Sequence, residues 1–307
     1  ARGCLNARMG LFHSRRVRPI VFTFAPQYAG SGTSVMRGAQ LSRLLAHSGS
    51  TERPVDYQDF SHRFKNSDLF LTKGVLKTIR PEDLVRSRRR GNRIFVDPVD
   101  EDLADEMVEQ ADVVVAASRT AEAAYRAPWP FTRVVLLNHH VDPRVGAALK
   151  VAERGEFSGT RTAYFGELEN TIHTPSIARM VDFVAIDTSR QDERWFSRLA
   201  PYNLHYAIRR ARALDRYKPF LKGFTAAACG ANIIIQTTEV EAARWLPADY
   251  PYWHHGDVTE ASILVTLQDA HDGYGGPDWL YAREAMSEIA RHTSPSAIAS
   301  DASRLFD

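Results

Sequence analysis

Cysteine is nearly missing from this chain of 307 residues, which has two, Cys4 and Cys229, far apart in sequence. That excludes a disulfide framework and a cysteine-based zinc site, and a reducing, cytoplasmic setting is expected. No apolar run reaches the roughly 18–20 residues of a membrane-spanning helix. The first twelve residues are too poor in hydrophobes for a secretory signal. Formal net charge is +2, so no global excess speaks for nucleic-acid binding. Ligand signatures are scarce as well. No His-Glu-x-x-His occurs, and Gly30-Ser31-Gly32-Thr33-Ser34 lacks the Gly-Lys-Ser/Thr of a phosphate loop. With Val35 in the last glycine position, it also lacks a complete dinucleotide fingerprint.

What is present is a globular composition, 44% hydrophobic and 25% charged, in a chain long enough for two cores. Strands and helices alternate. Pro19–Phe24 reads as a short buried strand, a loop of small residues follows, and a helix is predicted over Thr33–His47. Further strands are expected at Asp68–Thr72, Arg93–Val96, Ala111–Ala117 and Arg133–Leu137, the third being continuously apolar and β-branched, as parallel strands buried on both faces are. The pattern weakens over Asp142–Gly159 and restarts with Thr162–Phe165. The fold class is therefore α/β, with two Rossmann-like doubly wound domains. The expected division is a basic tail, 1–18, a first domain, 19–145, a second, 160–292, and a C-terminal tail, 293–307, that could cross back to the first.

The most informative stretch is Asn203–Gln236. An apolar strand, a basic loop, a short alanine-rich helix opened by Lys218-Pro219 and closed by Gly230, and a second apolar strand succeed one another. A helix N-terminus favours anions, because its first amides lack partners and the macrodipole is positive there. Arg209, Arg210, Lys218 and Lys222 add formal charge around it.

Other residues carry two readings each. Gly30–Thr33, at a strand's C-terminal edge, fits either a close ligand approach or a plain tight turn. Asp97, at the end of a predicted strand, is either a crevice carboxylate suited to general-base work or a structural group. Asp100-Glu101-Asp102 formally matches a metal-binding Asp-x-Asp, but acids at a helix start also serve the helix amides, and no metal is expected. His139 and His140 point apart in an extended chain and so make a poor two-ligand site, with His139 the better crevice residue. The arginine cluster Arg86–Arg93 and the basic tail fit either a solvated face or a surface attracted to phosphates and anionic lipid.

The segments Tyr164-Phe165-Gly166-Glu167-Leu168, Lys218-Pro219-Phe220-Leu221-Lys222-Gly223 and Thr225–Ile235 together resemble the GT-B glycosyltransferases, and the last is similar to a segment of their retaining, family 4-like branch. The resemblance implies two domains facing each other across a cleft, with a nucleotide-sugar held mainly by the second. Donor-side residues implied are Gly166, Arg209, Lys218, Lys222, Thr225, Glu239 and Glu241. The acceptor would lie by Gly30, Ser31, Gly32, Thr33 and Lys73. Two departures stand out: Tyr217 and Thr225 occupy the positions of the branch's paired glutamates, and Glu167 stands where an arginine is common.

Without those glutamates the inference of retention lapses. An inverting transfer needs one base for the acceptor hydroxyl, with Asp97 first, then Asp100 and His139. Lysine, arginine and helix amides would stabilise the departing diphosphate in place of a metal ion. The expectation is thus a metal-independent transferase without a cofactor, acting on a saccharide or lipid-linked acceptor, cytoplasmic or peripheral on a membrane face. Two rivals remain: a catalytically degenerate binder of nucleotide or sugar, and a sulfotransferase using Gly30–Ser34 as its phosphosulfate loop.

Overall fold

The computed structural model describes residues 17–152, 156–187, 195–210 and 216–307. Cys4 and the arginines of the tail up to Arg16 lie outside them. The first half contains β1 (Ile20–Phe24), a π-helical segment Ser34–Gln40 that runs on into α1 (Leu41–His47), β2 (Val55–Asp59), β3 (Asp68–Thr72), α2 (Lys73–Leu76) and α3 (Pro81–Arg89). It continues with β4 (Arg93–Val99), α4 (Asp105–Gln110), β5 (Val113–Ala116), α5 (Arg119–Arg126), β6 (Val134–Leu136) and α6 (Pro143–Val151). The second half holds β7 (Thr162–Gly166), β8 (Val181–Ala185), β9 (Leu204–Tyr206), α7 (Leu221–Ala228), β10 (Asn232–Gln236), β11 (Trp253–His254), α8 (Glu260–Asp272), α9 (Pro277–His292) and α10 (Pro295–Phe306).

Both sheets are parallel, ordered β2-β1-β3-β4-β5-β6 and β11-β10-β9-β7-β8. Counted from its own first strand, each begins 2-1-3-4-5, so the strand order reverses between β1 and β3 in one and between β7 and β9 in the other. Open α/β sheets bind ligands at the carboxyl ends of the strands flanking that reversal. The loops after β1, β3, β7 and β9 are therefore the ones to inspect. Strands buried on both faces, such as Val113–Ala116 and Asn232–Gln236, are continuous apolar or nearly apolar runs because helices cover each side.

Several elements depart from expectation. β2 reads Val-Asp-Tyr-Gln-Asp, half-exposed at the sheet's edge, and carries no apolar run. The alanine-rich helix begins at Leu221, so Lys218 and Pro219 form the turn before it and Lys222 sits in its first turn. The Glu239–Leu246 stretch is a short 3-10 turn at Ala242–Arg244. In 293–307, where a tail that could cross back to the first half was expected, Pro295–Phe306 is a helix: α10 packs against α1, and its Phe306 ring lies 5.8 Å from Phe22 and 4.7 Å from Phe95 in the core of the first half. The chain end is fixed further by Arg53, whose Nη1 donates to the Phe306 carbonyl at 2.9 Å. Burying a phenyl ring among others stabilises by both area and ring geometry. Phe306→Ala is expected to destabilise the protein by about 3–5 kcal/mol, read as a lower urea midpoint.

Candidate functional site

The two halves meet over a cleft containing two adjoining cavities. The larger, about 530 Å3, has Gly32, Thr33, Asp100 and His139 on one wall and Gly166, Phe165, His205, Lys218, Lys222 and Thr225 on the other. The smaller, about 370 Å3, belongs to the second half and is bounded by Glu167, Asn170, Arg209, Glu239 and Glu241. Gly166 and the turn Lys218–Lys222 border both. Residues widely spaced in sequence thus converge at the predicted strand ends.

Lys222 is the centre of this arrangement. Its Nζ donates to the Phe165 carbonyl at 2.8 Å and lies 3.9 Å from the centroid of the Tyr164 ring, and it forms no ion pair among the described residues. Burial, helped by the positive Arg209 and Lys218, pulls its pKa down to about 7. Gly166 makes the approach possible. Its φ is +148°, and a Cβ there would stand 2.9 Å from the Tyr164 hydroxyl and 3.1 Å from Lys222 Nζ. Amides of the first turn of α7 lack intrahelical partners by geometry, so an anion here would meet an ammonium and helix amides together.

Arg209 and Glu239 pair with each other through two contacts, one at 2.6 Å, across the mouth of the smaller cavity. Glu241 requires a correction as a sugar-binding carboxylate. Its oxygens accept from the amides of Arg119 at 3.0 Å and Thr120 at 2.8 Å, capping α5 of the first half, and from Trp245 Nε1 at 3.0 Å. Thr225 borders the larger cavity, away from the Arg209 pair. His205 is buried on that wall, with Nε2 lacking a hydrogen-bond partner among the described residues. Burial holds its pKa down to about 3, so the ring is neutral.

On the opposite wall the first candidate base is displaced. Asp97 is 0% exposed, and Arg37 takes both its oxygens, at 2.8 and 3.2 Å. Arg37, equally buried, also donates to the carbonyls of Leu137 and Asn138. Burial pushes the Asp97 carboxyl up while Arg37 opposes the shift. A carboxylate enclosed in this way cannot take a proton from a hydroxyl in the cleft; it anchors the floor instead. The strand-end argument located its backbone correctly but not what its side chain meets. Arg37 itself was missed. Its place on the same helical stripe as Leu41, Leu44 and Leu45 was the available signal, because a charge on a buried stripe requires a partner.

Asp100 reaches the cleft through a strained turn. β4 slips register with β5 between Val96 and Val99, and Val99 has a φ of +65°, where β-branched residues rarely go. The Asp100 amide closes the turn onto the Pro98 carbonyl at 2.9 Å. Lys73, at the start of α2, then binds Asp100 at 2.6 Å and Glu101 at 3.0 Å. Lys73 therefore acts through Asp100 and does not border either cavity. Ser31 accepts from the Ser34 amide at 3.2 Å, and Gly30 borders neither cavity, which leaves Gly32 and Thr33 as the part of that loop that borders the cleft.

His139 is 2% exposed, with Nδ1 at 3.3 Å from the His140 carbonyl. If Nδ1 donates there, Nε2 is the unprotonated nitrogen, and no described residue bonds it. Burial, then the charges of Arg37 and His140, hold its pKa well below the usual range. The ring is accordingly neutral at pH 7.

No protein-family model and no curated protein matches the sequence. Solved structures do match in shape. Anabaena HepE in complex with UDP superposes with a TM-score of 0.63 at 9% identity, over 94% of this chain and 99% of that one. The fold is GT-B. A glycosyltransferase of Rickettsia africae matches with a TM-score of 0.61 at 7% identity, over 95% and 97% of the two chains. The UDP-forming trehalose-phosphate synthase of Burkholderia vietnamiensis matches at 0.52 and 11%, over 87% and 77%. The GT-B architecture accounts for both halves, whereas a sulfotransferase would leave the second sheet unexplained.

The buried pair yields a test of its own. Asp97→Asn strands the Arg37 charge and is expected to cost about 3–5 kcal/mol of stability. Arg37→Met combined with Asp97→Leu removes both charges and should recover much of that loss. Equal destabilisation by the single and double variants in urea titrations would refute the assignment of the pair as a floor anchor.

Proposed function

We propose that this protein is a glycosyltransferase that moves a sugar from a UDP-sugar to a hydroxyl of a saccharide or lipid-linked acceptor. The observation that carries this reading is the junction of the two cavities at Gly166 and Lys218–Lys222, where a half-buried lysine and the first turn of a helix face a cleft between two Rossmann-like halves. Nucleotide occupies the smaller cavity and sugar the larger, with the diphosphate at the start of α7. UDP is the favoured nucleotide because HepE has been solved with UDP and with UDP-glucose, and the trehalose-phosphate synthase is UDP-forming.

The acceptor enters from the first half, past Gly32 and Thr33. Its hydroxyl oxygen bonds to the anomeric carbon, and the bond from that carbon to the diphosphate breaks. The electron pair leaves with UDP, and the hydroxyl proton passes to His139 Nε2. Asp100, braced by Lys73, orients the acceptor. One displacement of this kind inverts the anomeric centre. Lys222, Lys218 and the α7 amides stabilise the leaving diphosphate, the role a metal ion plays elsewhere. The exposed arginines Arg86 and Arg89 on α3 could bring the protein to an anionic membrane face. No helix among the described residues is long and apolar enough to cross a membrane.

Titration calorimetry with UDP tests the donor site. Lys222 titrates near pH 7 in the free protein, and a bound diphosphate favours its ammonium form. Binding should therefore take up a proton above pH 7, and affinity should fall by up to about tenfold per pH unit between pH 7 and 9. Lys222→Met should bind weakly with no such slope, and pH-independent wild-type affinity would remove Lys222 from the diphosphate site.

Hydrolysis or transfer from UDP-sugars then separates enzyme from binder. His139→Ala is expected to lower kcat about 10²–10⁴-fold with UDP affinity retained, and turnover should survive a chelator. UDP binding without any turnover would assign the binding role instead.

A further inference from the structure

A third cavity, of about 720 Å3, lies in the first half beside the cleft. The helical segment after β1 separates the two. Thr33 and Met36 face the cleft, while Val35, Ala39 and Arg43 face this cavity. Its walls are mostly apolar: Phe24, Val35, Leu44 and Tyr57 from the first half, with Pro295 and Ala299 of α10 closing the far side. Its size falls within the roughly 300–1,000 Å3 of small-molecule sites.

The charge at its edge has one sign. Arg43 is exposed and forms no ion pair among the described residues. Arg144, also at the edge, is held by Asp142 through contacts of 2.9 and 2.6 Å. No carboxylate borders this cavity. Behind the wall, Gln40 spans the two spaces. It borders the side cavity, and its Oε1 lies 3.0 Å from Nε2 of His140, the neighbour of His139. A molecule seated here would therefore touch Gln40, and through Gln40 and His140 would be linked to the group proposed to take the acceptor proton.

We propose that this cavity binds the apolar, anion-bearing part of the acceptor, a hydrocarbon chain lying between Phe24, Leu44 and Ala299 with its phosphate against Arg43. The apolar walls supply affinity in proportion to the area they remove from water. The unpaired guanidinium selects a phosphate over a neutral head group, since arginine binds such oxygens through two parallel donors. The sugar-accepting hydroxyl would then project around the start of the helix, past Thr33, into the cleft. This acceptor role rests on the transferase reading above; the binding itself does not.

The test uses the full chain and three probes below their aggregation limits: farnesyl phosphate, farnesol and inorganic phosphate, with UDP titrated in parallel. Farnesyl phosphate is expected to bind saturably, more tightly than farnesol, with inorganic phosphate far weaker than either. Arg43→Glu should weaken farnesyl phosphate about tenfold or more while leaving farnesol unchanged. Ala39→Trp, which fills the cavity from a half-buried position, should weaken both. Neither variant should change UDP affinity, which also reports that each is folded. No saturable binding of farnesyl phosphate by a chain that binds UDP would overturn the proposal, as would inorganic phosphate binding as tightly as farnesyl phosphate. Binding of farnesyl phosphate that ignores both substitutions would overturn it too. A chain that binds farnesyl phosphate in this pattern but not UDP would retain the cavity and lose the donor reading.

Discussion

Two opposite charges with no access to water, Arg37 and Asp97, hold the floor of the cleft together. Enclosing either alone would be prohibitive, and enclosing both is tolerated because the guanidinium fork meets the carboxylate twice and two further carbonyls accept from its Nη1. The contacts join three places: the helix after β1, the end of β4, and the residues just past β6. Each is the carboxyl end of a strand, where a doubly wound sheet presents its loops. The residues that follow are displayed by this anchor: Val99 and Asp100 two and three positions beyond Asp97, and His139 directly after the carbonyl that Arg37 holds. The strained backbone of Val99 is sustained by the same fixed point, since a left-handed valine persists only where its surroundings leave no alternative.

The second half contains the complementary situation. Lys222 is half-buried, and its neighbours are a carbonyl and an aromatic face, with no described carboxylate pairing it. Arg209 nearby is matched by Glu239. One cation is therefore satisfied internally and another is held with its charge uncompensated, which is why its pKa falls. The first wall thus closes its charge within the fold, while the second leaves a cation bordering the cleft.

Where periodicity governs structure, the sequence was readable. Val113–Ala116 and Asn232–Gln236, the one apolar throughout and the other around Ile233–Ile235, are strands because such runs suit no half-exposed element. β2 escaped notice because an edge strand with exposed acids carries no such pattern; for 293–307 a return to the first half was expected, where Ile298, Ala302 and Leu305 pack, but not its helical form. At the site, the placement of Lys218, Lys222, Gly166 and His139 beside the cleft was legible from position relative to strand and helix ends. Asp97 and Glu241 were not, because a carboxylate's partner can come from 60 or 120 residues away, as Arg37 and the α5 amides do. Tyr217, where the resembling branch carries a glutamate, illustrates the same limit. It comes from the second half but packs into the first, its ring 5.7 Å from that of Tyr125.

That tyrosine belongs to a seam along one edge of the cleft. Ser118 donates to the Tyr217 carbonyl at 2.9 Å, Glu241 caps α5, and the Arg119 guanidinium lies 3.9 Å from the centre of the Trp245 ring. Every one of these contacts joins the two halves, and all cluster at the start of α5. A helix N-terminus capped by a carboxylate from the other half is lost as a unit if the halves slide there, because two amides lose their acceptor together. Separation at this edge is thus the costly motion. At the other side of the cleft, Gly32 and Thr33 face Gly166 and Lys222 across open space. The larger cavity is thus flanked on one side by bonded contacts between the halves and on the other by open space, with Arg37 holding the first wall's groups in fixed relation to one another.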